Sequence, residues 1–196
     1  METSTEKIMK AARKLCLDYL ASPTAAAVER LAAILVPMHV EKKGQLLRAG
    51  EVCDRLYYVE RGMIRQYYYK NGRELTEHFA CEEDVFINIE SYFLGQPTHL
   101  MAEAIEPSDL YGIPRKEFRL LMAEMPEIGT LYHRMLEKVL IDLSRHLDGF
   151  RFETATERYQ HFLKTSPEVI RRAPLADIAS YLLMTPETLS RVRAGH

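Results

Sequence analysis

The sequence has no tryptophan and only three cysteines in 196 residues. Cys16, Cys53 and Cys81 are odd in number, widely spaced and free of any CxxC pair. That excludes a disulfide framework and a four-thiolate zinc or iron–sulfur centre, and it fits a reducing, cytoplasmic compartment. No apolar run approaches the length a membrane-spanning helix needs, so no membrane association is expected. Glu2, Glu6, Lys7, Lys10, Arg13 and Lys14 precede any sustained apolar stretch, unlike an export signal. None of the seven histidines falls into HxH or HExxH spacing, which counts against a metal-dependent β-barrel enzyme. GxSxG, GxGxxG and GxxxxGK[ST] are also missing, leaving acyl-transfer, dinucleotide and P-loop chemistry without a foothold. No catalytic residue, metal ligand or cofactor is therefore expected.

The chain is organised around Pro126 to Phe150, which reads as one long helix. Leu136, Leu140, Leu143, Leu147 and Phe150 recur at spacings of four and three, the seam that two helices bury against each other. Ile128, Leu131, Met135 and Val139 make a second stripe beside it. One stripe is expected to cover the chain's own β domain and the other to meet a second copy, giving a homodimer. A single wide core-facing face is the alternative. The net charge of −2 hides an asymmetry, because residues 151–196 carry seven Lys/Arg against five Asp/Glu. A mildly basic C-terminal piece points weakly towards nucleic acid.

Before the long helix, residues 4–20 and 25–35 carry apolar positions at helical spacing, with Ser22-Pro23 between them and Thr24 as a cap. From Met38 the period falls to two, and turn residues at Lys43-Gly44, Ala49-Gly50 and Gly62 separate short strands. Asn71-Gly72 is the strongest local signal, since both residues tolerate the positive φ of a type I′ hairpin. Tyr57, Tyr58, Tyr67, Tyr68 and Tyr69 suit strands and need no further role. Strands near Met101–Ile105 and Leu110–Ile113 close the run into a barrel or roll. After Phe150, short helices are expected at 155–163, 167–171 and 174–182, then a last one opening at Pro186. All are too small to be stable without neighbours.

The order of helices, β-roll, long helix and terminal helical pair resembles the transcription regulators of the cyclic AMP receptor/FNR superfamily. Gly50-Glu51, Leu56-Tyr57-Tyr58-Val59 and Gly62 resemble its strand–turn–strand signature, and Asp84-Val85-Phe86 the entry to its phosphate-binding cassette. Leu110 to Phe118 resembles the strand and short helix that close its roll. Pro174 to Leu182, followed by Met184 to Val192, resembles a helix-turn-helix with the recognition helix last. The residues support this independently: Thr185 is an N-cap, Pro186 occupies the first helical position, Leu189 and Val192 face inward, and Glu187, Thr188, Arg191 and Arg193 face outward. Glu187 and Arg191 match family positions that touch bases. At the turn, Leu183 stands where the family usually has Gly, so a turn of different construction is expected.

The resemblance implies an α+β chain with a jelly-roll-like sensor over 1–125, a dimerisation helix over 126–150 and a helix-turn-helix over 151–196. It implies double-stranded DNA, RNA polymerase and a small-molecule effector as partners. The DNA-binding residues would be Thr185, Glu187, Thr188, Arg191 and Arg193. Asn88, Ile89, Glu90, Ser91, Thr98 and His99 would line the effector pocket. Where cyclic-nucleotide binders have Gly-Glu-Leu and then Arg, this chain has Ile87-Asn88-Ile89 and Thr98, so a buried phosphate loses its two-pronged cation and cyclic AMP is not the expected effector. Two other readings remain. A ligand-binding module acting through protein contacts would show no salt-sensitive DNA binding, and a cupin-like enzyme would copurify with metal.

Overall fold

The computed structural model describes residues 3–195. Helix α1, Ser4–Tyr19, opens with a reciprocal Thr3/Glu6 capping box, and α2, Ala25–Ala32, is capped by the Thr24 hydroxyl. Ala11, Leu15, Cys16, Val28 and Leu31 are buried in the same core as the β-roll. Thr24 also clamps the first turn of the long helix, its N–H and hydroxyl donating to the Glu127 carboxylate at 2.8 and 2.6 Å.

Eight strands follow: β1 Val36–Val40, β2 Gln45–Leu47, β3 Arg55–Arg61, β4 Ile64–Lys70, β5 Arg73–Ala80, β6 Val85–Phe86, β7 Met101–Ala104 and β8 Ser108–Pro114. They pair antiparallel in two four-stranded sheets, ordered β1-β8-β3-β6 and β2-β7-β4-β5, which make the roll expected from the period-two pattern. Asn71 and Gly72, at φ of 53° and 73°, make the β4–β5 turn, with Lys70 opposite Arg73. Gly62 is required twice over: its φ is 100°, and a Cβ there would lie 2.2 Å from the Ser108 hydroxyl oxygen. Tyr57, Tyr58 and Tyr67 are buried in the strands, whereas Tyr69 is exposed.

After β6 comes a short helix, α3 Ile89–Leu94, which alternation did not reveal. Asn88 caps it and Gly95, at φ 67°, ends it. Helix α4, Arg115–Glu124, leads into α5, Pro126–Phe152, two residues longer than the expected 126–150. Ile128, Leu131 and Met135 are buried in the main core, whereas Leu140, Leu143 and Leu147 lie exposed at 66, 42 and 51%. Leu136 and Phe150 of the same seam are half-buried, and Phe150 packs its ring on His146.

Helices α6 Ala155–Thr165, α7 Pro167–Arg172, α8 Leu175–Tyr181 and α9 Pro186–Arg193 complete the chain. They solve their shortage of apolar surface by sharing a core with the roll: Tyr159, Phe162, Ile178 and Leu189 cluster with Met63, Phe79 and Ile105. Polar contacts hold the junction. Arg65, 3% exposed, projects from β4 and binds Asp177 of α8, with Glu74 at 2.5 Å and Glu103 at 2.7 Å, while its guanidinium lies over the Tyr67 ring. Arg172 binds Glu82 and Glu106, both at 2.7 Å, and the Thr76 N–H donates to the Ser180 hydroxyl at 2.8 Å.

Candidate DNA-reading helix and effector cavity

Helices α8 and α9 are joined by a tight turn. Contrary to the expectation that leucine would force a different turn, Leu183 itself adopts φ 51°. The Leu183 N–H donates to the Ser180 carbonyl at 3.1 Å and the Met184 N–H to the Ala179 carbonyl at 2.9 Å, the paired bonds of a left-handed helix C-terminus. Burial of Leu182 on one side and capping of α9 on the other fix the turn, so leucine takes a conformation that glycine takes freely. A side chain there is strained by about 1–2 kcal/mol, and asparagine tolerates the region better. Leu183→Asn is therefore expected to raise the unfolding free energy by about 1 kcal/mol, read by chemical denaturation. A neutral or negative change would show that the exposed Leu183 side chain contributes contacts that offset its backbone strain.

The Thr185 hydroxyl accepts from the Thr188 N–H at 3.2 Å and caps α9, whose first helical residue is Pro186. Leu189 and Val192 are buried, Glu187, Arg191 and Arg193 are exposed, and Thr188 is half-buried. Glu187 and Arg191 stand four residues apart on one face, and the Arg191 guanidinium donates to the Thr188 hydroxyl at 3.4 Å. Backbone and Thr185 hydrogen bonds hold the Glu187 carboxyl below its ordinary range, so the helix presents an ionised acceptor beside an arginine fork.

A cavity of about 930 Å³ opens where the roll, α3, α5 and the C-terminal helices meet. Asn88, Ile89, Glu90 and His99 line it. Ser91 and Thr98 do not; they are held in the cassette backbone instead. The Ser91 hydroxyl donates to the Gln96 carbonyl at 2.6 Å and accepts from the Cys53 N–H at 2.8 Å, while the Thr98 hydroxyl accepts from the Leu100 N–H at 2.9 Å. Asn88 is divided, its carbonyl capping Ser91 and its amide reaching Gln66 at 3.5 Å.

Sequence reasoning missed Gln66, Tyr68, His78, His146 and Tyr181, which also line the cavity. A signal existed in β4 and β5, where Gln66 pairs directly with His78 across the hairpin and Tyr68 shares the face of Gln66. His78 lies parallel to Phe86 at 6.4 Å, and His146 stacks on Tyr181 of α8 at 4.5 Å. His78 is open to the cavity and enclosed by protein around it, and desolvation pushes its pKa down. Burial lowers His146 likewise, with His78 adding to the effect. Among the described residues, no group of three or more His, Cys, Asp or Glu side chains is placed to hold a metal ion. No helix among the described residues is long and apolar enough to cross a membrane.

The β-roll with its capped cassette helix, the long helix and the terminal helix-turn-helix together make the architecture of a cyclic-nucleotide-binding-type roll joined to a helical reader. Residues 37–125 match the cyclic nucleotide-binding domain, and the chain is similar to the regulator CRP and to solved structures in the CRP/FNR family of transcription regulators. The cAMP-activated global transcriptional regulator CRP of Pasteurella multocida is 27% identical over 124 residues, covering 61% of this chain and 59% of that protein. The chain thus matches about three fifths of the length of that curated relative. FixK2 from Bradyrhizobium japonicum superposes with a TM-score of 0.68 at 26% identity, covering 83% of this chain and 84% of its own. The catabolite activator protein of Thermus thermophilus, at 19% identity and a TM-score of 0.57, covers 92% of this chain and 85% of its own, and shares the fold.

Proposed function

We propose that the chain is a dimeric, sequence-specific DNA-binding transcription regulator whose roll senses a small effector other than cyclic AMP. The observation that carries this reading is α9. A short helix capped by Thr185 and begun by Pro186 projects Glu187, Thr188 and Arg191 from its first two turns, the part of a recognition helix that enters a major groove. Glutamate accepts from a cytosine amino group and arginine donates twice to guanine, so this face suits base reading. Two copies joined through α5 would offer two such helices, which DNA requires about one turn, ~34 Å, apart. The departure from cyclic AMP rests on the cassette, where Thr98 replaces the family arginine and its hydroxyl is engaged by backbone. An effector that favours one arrangement of the long helices over another would shift the spacing of the readers by population shift. RNA polymerase is the further partner such a regulator acts upon.

The test begins with selection of bound fragments from random DNA, followed by fluorescence anisotropy on the selected site and a scrambled one. Arg191→Ala is expected to lose about 1–3 kcal/mol on the selected site and to relax discrimination at one base pair per half-site. Arg193→Ala is expected to weaken both sequences alike and to reduce the salt slope by about one per chain. Equal losses on both sequences for Arg191→Ala would mean that α9 does not read bases, and would favour a helix-turn-helix acting through protein contacts.

A further inference from the structure

We propose that the cavity takes a planar aromatic molecule without negative charge, and that this ligand touches the reader domain directly. The inference rests on the effector reading above and names the class of that effector.

The walls are aromatic and come from every part of the fold. Tyr68, His78 and His99 belong to the sensor half, His146 to α5, and Phe162 and Tyr181 to the C-terminal helices. The Tyr68 and Tyr181 hydroxyls and the His78, His99 and His146 rings make no hydrogen bond to any described residue. Ring-borne groups that both donate and accept, clustered without protein partners, suit the edge of a heteroaromatic or hydroxylated ring, whose face stacks on its neighbours. Desolvation by the surrounding protein shifts the His78 and His146 pKa values down, and burial pushes the Tyr181 hydroxyl up to about 12.

Most of the charged groups around the cavity have a polar partner within the chain. Lys138 lies 3.2 Å from Asp142 and 3.8 Å from Asp84, and Glu153 pairs with His161 at 3.1 Å. Arg158 donates to the carbonyls of Leu182 and Glu153 at 3.0 and 2.9 Å, Glu77 accepts from Gln66 at 2.7 Å, and Glu168 binds Arg171. The lining as a whole carries six carboxylates, Glu77, Asp84, Glu90, Asp142, Glu153 and Glu168, against three cations, Lys138, Arg145 and Arg158. A phosphate or carboxylate would therefore enter an acidic cavity, whereas a ring without negative charge has the aromatic groups available to it. The volume of about 930 Å³ lies within the range of small-molecule sites, roughly 300–1,000 Å³.

Contact with the reader follows from Tyr181. It is the last residue of α8 and stacks on His146, and two residues later the chain turns towards α9. A ring seated on this pair presses on the helix that positions the recognition helix.

Ring size and charge separate in a matched set of probes: 1-naphthol and lumichrome as neutral rings, 1-naphthoate and 1-naphthylmethylammonium as charged ones, and cyclic AMP. Calorimetric titration and thermal melting of the full chain should show the neutral rings binding at one site per chain and raising the melting temperature. 1-Naphthoate and cyclic AMP should bind at least tenfold more weakly than the neutral rings, and 1-naphthylmethylammonium more tightly than 1-naphthoate. Tyr68→Phe and Tyr181→Phe each remove a hydroxyl that makes no hydrogen bond to a described residue, so folding should be unchanged while affinity for the neutral rings falls about tenfold. The proposal is overturned if the anionic probes bind as tightly, if no neutral ring binds, or if neither hydroxyl matters. Insensitivity to Tyr181→Phe alone overturns the contact with the reader. DNA anisotropy on the same samples separates the two readings: DNA binding without ring binding removes only the ligand class, and ring binding without DNA binding removes only the regulator.

Discussion

Arg65→Met is expected to lower the unfolding free energy by about 3–5 kcal/mol and to release the C-terminal helices from the roll. Arg65 is a buried cation placed among three carboxylates, Glu74, Glu103 and Asp177, of which the last belongs to α8. Removing the guanidinium leaves those acids facing one another with no counterion at a desolvated junction. Desolvation already pushes the Asp177 pKa up, with Glu103 and Glu74 adding to it and Arg65 holding it down. Chemical denaturation gives the magnitude, and limited proteolysis around Glu153–Thr154 gives the site of release. Adding Asp177→Leu should recover part of the loss, because the partner stranded on the reader side is then removed as well. If the single variant is as stable as the native chain, the ion cluster does not hold the reader to the sensor, and the shared apolar core alone does.

The fold was legible where local chemistry and global packing agree. Asn71-Gly72 marked its hairpin because few other pairs accept two consecutive positive φ angles. The double stripe of α5 marked one buried and one bare face because a helix repeats its contacts every three to four residues. Leu183 shows where such reasoning stops. Steric preference argued against a left-handed leucine, yet packing of the neighbouring helices imposes it at a strain that one residue can bear. Helix α3 was hidden because six residues are too few to display a period and its cap, Asn88, looks like any turn residue. The cavity was legible only along the cassette. Its other walls come from β4, β5, α5 and the C-terminal helices, and no local pattern says that His78 of β5 and Tyr181 of α8 face the same space. Docking of the reader on the roll was invisible for the same reason, since Arg65 and Asp177 are separated by 112 residues.

Leu140→Glu combined with Leu147→Glu is expected to convert a dimer into monomers of 22.7 kDa, as read by light scattering. Both residues are exposed in the single chain, at 66 and 51%, and neither lines the effector cavity, so the substitutions leave the folded protomer intact. Leu143 lies between them on the same seam but also lines the cavity, which makes it a poorer probe. Burying a leucine side chain contributes about 1.5–3 kcal/mol, and two per protomer are removed twice over in a two-fold interface. Four carboxylates would have to be desolvated in their place, costing several kcal/mol more. The sum exceeds what an interface of this length supplies, so association should fail at any working concentration. With two readers no longer held ~34 Å apart, specific DNA binding should collapse as well, although each α9 remains folded. A mass that stays at twice 22.7 kDa would place the interface on another face. Monomers that still bind the selected site as tightly would separate DNA reading from dimerisation.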